Sequence, residues 1–168
     1  IEDLPSAVYT LINWLQEANV LSDITAVGHR IVHGGTKYSS PELITDELIN
    51  YLESNINLDT EHIPAELLLI RELKRILPAV PQVVCFDTAY FSGIPRVAQL
   101  MSLPKKFQEA GLRRYGFHGL SYTYLDKAFR EIAGDSAGDG RVIYAHLGSG
   151  ASLTAVHRGK PVDTTMSF

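Results

Sequence analysis

The chain has 168 residues, 45% of them hydrophobic, 20% charged and 9% aromatic, with a formal net charge of −4. This composition is that of a globular chain with a real core, and it excludes a disordered one; the acidic balance gives no reason to expect nucleic acid or an anionic membrane as partner. The single cysteine, Cys85, excludes an internal disulfide framework, no apolar run approaches the ~20 residues of a membrane helix, and the acidic start carries no basic leader, so the cytoplasm is the expected compartment.

The first element is a helix over residues 6–18, with Val8, Leu11, Ile12 and Leu15 at helical spacing and Ser6 as its N-cap. ITAVGHRIVHGG then reads as a strand running into a glycine turn. PELITDELINYLES and IPAELLLIRELKRIL read as helices, the second opened by Pro64, with a loop between them. PQVVCFDTAYF is an apolar strand ending at Asp87, and GIPRVAQLMSLP is irregular between its prolines. A short helix and a glycine-punctuated loop follow in KKFQEAGLRRYGFHG. LSYTYLDKAFREIAG is a helix with Gly134 as its C-cap, and SAGDGR is a turn. RVIYAHLGSG, ASLTAVHRG and KPVDTTM close the chain as three short strands. The class is α/β, with a seam expected near residues 91–93. The chain does not begin with Met and ends without a cap, so it reads as a piece of something longer.

Chemistry-bearing residues gather at strand ends and glycine loops. In GHRIVHGG, strand alternation puts Arg30 and Val32 on one face and His29, Ile31 and His33 on the other. A guanidinium beside an apolar wall suits a small carboxylate with a short alkyl tail, or a phosphate; the competing reading is an arginine paired with a core carboxylate. No third ligand lies near His29 and His33, so they read as hydrogen-bonded structural groups and not as a metal site. Asp87 ends a buried strand, where a carboxylate needs a cation, donors or a ligand. It either serves a site there or caps the following turn. His118 sits between Phe117 and Gly119, with Arg113 and Arg114 close behind; taken alone it reads as a loop histidine stacked against its aromatic neighbours. HLGSGAS joins two strands through glycines, a turn able to aim N–H groups and Ser149 at a phosphate, or an ordinary hairpin. A cation, a carboxylate, an imidazole and a phosphate cradle together fit phosphoryl transfer.

GHRIVHGG, FDTAYF, RRYGFHGLSY and HLGSGASLTAVHRGKPVDTTMSF, in this order and spacing, resemble the acetate kinase family, within the acetate and sugar kinase/actin superfamily. The resemblance runs from about residue 24 to 168. It implies two ribonuclease-H-like (actin-like ATPase) α/β domains and reversible transfer of the ATP γ-phosphoryl group to acetate, with Mg²⁺. Residues 1–91 would be part of the N-terminal domain without its first strands. Residues 92–168 would be the linking helix and opening strands of the C-terminal one. Carried over by position, Arg30 holds the carboxylate or the transferring phosphoryl, and Val32 and Phe117 wall the methyl pocket. Asp87 is the essential acid, and His118 stabilises the transferring group. His146, with Leu147, Gly148, Ser149 and Gly150, faces the nucleotide phosphates. The acceptor is already a carboxylate at neutral pH, so Asp87 is expected to organise Mg²⁺, water or Arg30 and not to act as a base. The family also implies a homodimer.

The chain departs from the family pattern at named positions. Glu61, in EHIP, stands where a pocket-lining leucine is usual, placing an anion near the expected anion site. Tyr90 and Phe91 replace a common Phe-His, and Ser149 replaces a common Asn. The family's opening serine-rich phosphate loop and its later essential arginine are not among these 168 residues, so the isolated chain is expected to be inactive. The alternatives are a propionate or other short-chain carboxylate kinase, and a non-catalytic binding or regulatory remnant.

Overall fold

The computed structural model describes residues 4–166, for Leu4 the backbone only. The chain forms two compact units, Ile1–Cys85 and Phe86–Phe168.

The first unit opens with helix α1 (Leu4–Glu17), followed by strand β1 (Val27–Ile31), the short strand β2 (Glu42–Leu43), helices α2 (Asp46–Ser54) and α3 (Ile63–Ile76), and strand β3 (Gln82–Phe86). The strands form one sheet in the order β1-β3-β2. β2 runs antiparallel to β3, with Glu42 opposite Val84 and Leu43 opposite Val83. On α1, Val8 and Ile12 are buried and pack with Leu73 of α3, flanked by Leu15, Val27 and Ile76. Pro64 lies in the first turn of α3, where its missing N–H costs nothing.

Four local expectations change here. The helix begins at Leu4, so Ser6 is inside α1 and not its cap. Leu11 is 49% exposed, because the buried stripe is narrower than the apolar spacing. Residues 42–43 pair with β3 instead of starting a helix; α2 starts after Thr45, whose hydroxyl accepts the Leu48 N–H at 3.2 Å. The loop before α3 contains a 3-10 turn, Ile56–Leu58.

The second unit begins with a 3-10 turn, Asp87–Phe91, so the strand stops at Phe86 and Asp87 opens the turn. Helices α4 (Arg96–Gln99) and α5 (Lys105–Glu109) are short, and α6 (Gly119–Ala133) is the long one. α4 and α7 (Asp135–Gly138) put single helical turns where an irregular stretch and a plain turn are expected. Gly134 caps α6 with φ 85°, as its position after the last apolar residue requires.

β4 (Arg141–Leu147), β5 (Ala151–His157) and β6 (Lys160–Thr164) form an antiparallel sheet in that order. The register sets Val142 opposite Val156, Tyr144 opposite Thr154, and His146 opposite Ser152. These pairs share the face that packs on α6. There Tyr144 and Val156 join Phe91, Ile94, Ala98 and Tyr122 in one core, with Leu125 and Phe129 against it. Arg130 of α6 ties this packing together through Asp126 (3.0 Å) and Asp139 (3.1 Å), and Asp126 accepts the Tyr144 O–H at 2.9 Å. No helix among the described residues is long and apolar enough to cross a membrane.

The Thr45 cap is a separable contribution. Thr45→Ala is expected to cost about 1 kcal/mol and Thr45→Ser almost nothing. Urea unfolding followed by far-UV circular dichroism checks this: equal midpoints for the alanine and serine variants count against the cap.

Candidate functional site

In the second unit the site grows from a buried carboxylate. Asp87 is 1% exposed at the start of its 3-10 turn. Its Oδ2 accepts the backbone N–H of His118 at 3.2 Å, which offsets part of the desolvation cost. His118 adopts φ 61°, a left-handed conformation uncommon for a residue with a Cβ, as the cap of α6. The next residue must be glycine for a different reason. A Cβ at Gly119 would collide with the Asp87 carbonyl oxygen, so only a bare backbone lets α6 start this close to the turn.

The His118 ring lies against the sheet. It stacks on His146, with centroids 4.1 Å apart and planes 21° apart. Its Nδ1 is 2.8 Å from Ser152 Oγ, and that hydroxyl also bonds the Tyr122 hydroxyl. Its Nε2 edge faces the loop, since a Cβ at Gly150 would sit 3.0 Å from Nε2. His146 Nδ1 is held by Ser121 Oγ at 3.0 Å. The hairpin register therefore builds the pair: His146 and Ser152 are cross-strand partners, and both reach the start of α6.

The 146–150 loop uses one of its own donors. The Gly148 N–H bonds the Gly150 carbonyl at 3.0 Å, within the turn. Leu147 is 81% exposed on the outer face of β4. Gly148 and Ser149 are exposed and Gly150 half-buried. Phe117 is buried beside His118. Arg114 is occupied structurally, bonding Asp163 at 3.2 Å and the Thr164 carbonyl, and Arg113 lies over the Tyr115 ring at 4.5 Å.

The first unit carries Arg30 and Val32. Alternation holds from His29 to Ile31, with His29 and Ile31 buried and Arg30 exposed. It ends with the strand. Val32, His33, Gly34 and Gly35 are all buried, so face parity cannot be extended to pair Val32 with Arg30. The histidines are hydrogen-bonded within the fold. His29 Nε2 meets Gln82 Oε1 at 2.9 Å, and His33 Nδ1 accepts the Gly35 N–H at 2.8 Å. Burial lowers the proton affinity of His29, with the Gln82 contact opposing.

Val32 has an unforeseen partner in Glu66, in the first turn of α3, whose Oε1 accepts the Val32 N–H at 2.9 Å. Its Oε2 is buried with no hydrogen-bond partner among the described residues. Burial pushes this carboxyl up to about 7, while the Val32 N–H, His62 and Arg30 favour the charged form and Asp59 opposes it. Glu61 is exposed, its N–H bonded to Asp59 at 3.1 Å.

Asp87, Phe117, His118 and the 146–150 loop thus belong to one unit, and Arg30 and Val32 to the other. Glu66, Ser121, Tyr122 and Ser152 were not foreseen. Two of them leave a trace in the sequence. Tyr122 follows His118 by one helical turn, and Ser152 is a polar residue on the strand positions that continue as Thr154 and Val156. No group of three or more His, Cys, Asp or Glu among the described residues is placed to hold a metal. A divalent ion shared between one carboxylate and substrate phosphates needs no such cluster.

A mixed α/β chain with this loop, carboxylate and imidazole is part of an actin-like ATPase architecture, and the comparisons agree. The model of the acetokinase family matches residues 1–168. The acetate kinase of Rhodopseudomonas palustris is 42% identical over 162 residues, covering 96% of this chain and 41% of that protein. The acetate kinase of Bacillus subtilis is 42% identical over 175 residues, covering 100% and 44%. Among solved structures, a propionate kinase from Francisella tularensis superposes with a TM-score of 0.88 at 36% identity, covering 96% of this chain and 42% of that one. The acetate kinase of Porphyromonas gingivalis does so with 0.86 at 36% identity, covering 99% and 43%. The chain belongs to the acetokinase family. It spans about two fifths of the length of the curated relatives it matches.

Glu66 generates a stability prediction with a definite sign. Between about pH 4.5 and 7 the unfolded chain loses this proton while the folded chain keeps it, so stability falls as pH rises through that window. Glu66→Gln keeps an oxygen for the Val32 N–H but cannot ionise. Relative to the parent chain, its stability should rise by roughly 1–3 kcal/mol across the window, after allowance for partial exposure, and then level off. A difference that stays constant from pH 4.5 to 7.5 rules the linkage out.

Proposed function

We propose that this chain is the central part of a carboxylate kinase that transfers the γ-phosphoryl group of ATP to acetate, giving acetyl phosphate and ADP. Residues 1–91 belong to its N-terminal domain, and residues 92–168 open the C-terminal one. The observation that carries the reading, beyond family membership, is the joined set of buried Asp87, His118 and the 146–150 hairpin loop.

In this reading a carboxylate oxygen of acetate attacks the γ-phosphorus, and the bond to the bridging oxygen of ADP breaks. No proton has to be removed from the acceptor, so the protein positions and neutralises charge. Arg30 binds the acceptor carboxylate or the moving phosphoryl, with Val32 and Phe117 as apolar walls. His118 donates to an oxygen of the transferring group. His146, Leu147, Gly148, Ser149 and Gly150 face the nucleotide phosphates, and the Gly148 N–H is already bonded to the Gly150 carbonyl. Bound Mg²⁺ would neutralise charge on the β- and γ-oxygens, and Asp87 is the residue to organise it. The parent protein is a cytoplasmic homodimer.

A second reading, a propionate kinase, is favoured by one observation: one solved structural match is a propionate kinase.

A hydroxamate assay with ATP and either acid decides. Protein expressed from the complete reading frame should turn over acetate, and turnover on propionate alone selects the second reading. No turnover on any short acid points to a non-catalytic remnant. The 168 residues alone, being two fifths of the relatives' length, should show none. Arg30→Ala should lower kcat/KM by about 10²-fold or more. Asp87→Asn should show a rate defect relieved by raised Mg²⁺; a loss seen only as a moved limb of the pH–rate profile refutes the assigned role.

A further inference from the structure

The contacts of Tyr122 and Ser152 have a direction. Tyr122 is completely buried, and among the described residues its hydroxyl bonds only Ser152 Oγ. Ser152 is 3% exposed, and among the described residues its side chain bonds only Tyr122 and His118 Nδ1. A serine hydroxyl has one proton to give. If His118 Nδ1–H donated to Ser152, one hydroxyl proton would be left without an acceptor in the core: that of Tyr122 if Ser152 donated to it, or that of Ser152 if Tyr122 donated to Ser152. The opposite order satisfies every group: Tyr122 O–H to Ser152, Ser152 O–H to His118 Nδ1. It places the ring proton on Nε2, the edge that faces Gly150. His146 takes no part in this choice, because it meets His118 face to face and bonds Ser121.

We infer that Tyr122 and Ser152 are positioning residues that hold His118 as the Nε2–H tautomer, so that it presents a donor to the 146–150 loop and the group bound there. The role of that donor rests on the reading of His118 as a contact to the transferring phosphoryl; the order of the protons does not. The stack on His146 fixes the ring plane, and the hydroxyl relay decides which nitrogen carries the hydrogen. The device works through the register, since Ser152 reaches Nδ1 only while it stands opposite His146.

Long-range ¹H–¹⁵N spectra of the ¹⁵N-labelled chain, at a pH where the imidazole is neutral, read the tautomer directly. The parent chain should show His118 with a bare, hydrogen-bonded Nδ1 and a protonated Nε2. Ser152→Ala should release Nδ1 and admit a measurable Nδ1–H population. Tyr122→Phe, which keeps the ring and its packing, should do so to a smaller extent, and Ser152→Thr should restore the parent pattern. A protonated Nδ1 in the parent chain overturns the inference, whether or not any variant folds. So does a tautomer ratio common to the parent, Ser152→Ala and Tyr122→Phe. In protein from the complete reading frame, Tyr122→Phe should lower kcat roughly tenfold while moving the carboxylate KM less than twofold, since losing a direct donor costs about 10²–10³. A changed tautomer with unchanged kcat keeps the relay and overturns the phosphoryl contact assigned to His118.

Discussion

Asp87 is a carboxylate with almost no access to water, held at the first residue after a strand. A charge there is tolerated only if donors are brought to it. One donor is the amide of His118, and to aim it the backbone at 118 turns left-handed and α6 begins immediately afterwards. That start demands a residue without a side chain at 119. It also sets Ser121 and Tyr122 on the first turn of a helix that already faces the sheet. The unusual dihedral and the glycine both answer the electrostatic requirement of the buried acid.

The sheet answers the helix. Antiparallel pairing of β4 and β5 places His146 opposite Ser152, and the two reach His118 in different ways, by ring stacking and by hydrogen bonding. A one-residue slip of β5 against β4 would turn Ser152 to the outer face and part it from His146. The apolar pairs of the same face, Val142 with Val156 and Tyr144 beside Thr154, bury a core against α6 and so resist that slip. Packing energy in the middle of the sheet thereby secures polar geometry at its end.

The first unit shows the same coupling of a carboxyl to a backbone N–H, with another balance. Glu66 meets the Val32 amide where β1 has ended and the chain is buried without a strand partner. Among the described residues its second oxygen has no donor, so burial dominates and the carboxyl keeps its proton toward neutral pH. His29 and His33, which stand out in the sequence beside Arg30, are absorbed by Gln82 and by the Gly35 amide. Their prominence in a short motif reflects the cost of leaving backbone and side-chain groups unpaired in a buried segment.

Local periodicity was enough for most elements. The apolar spacing of α3 and α6, Pro64 in a first turn, Gly134 at a helix end and the alternating strands after residue 140 all read directly, because each depends on neighbours within a few residues. The short motifs around Arg30, Asp87, His118 and 146–150 were legible as chemistry, and their order was enough to identify the family. What a one-dimensional reading could not supply was partnership. That β2 pairs with β3, that Glu66 holds Val32, and that Tyr122 and Ser152 order the protons on His118 all depend on groups 30 or more residues apart. Sequence alone therefore determined which residues bring a charge, a hydroxyl or a bare backbone to this protein. The tertiary structure decided which of them meet, because a buried polar group takes its partner from whatever the packed core places beside it.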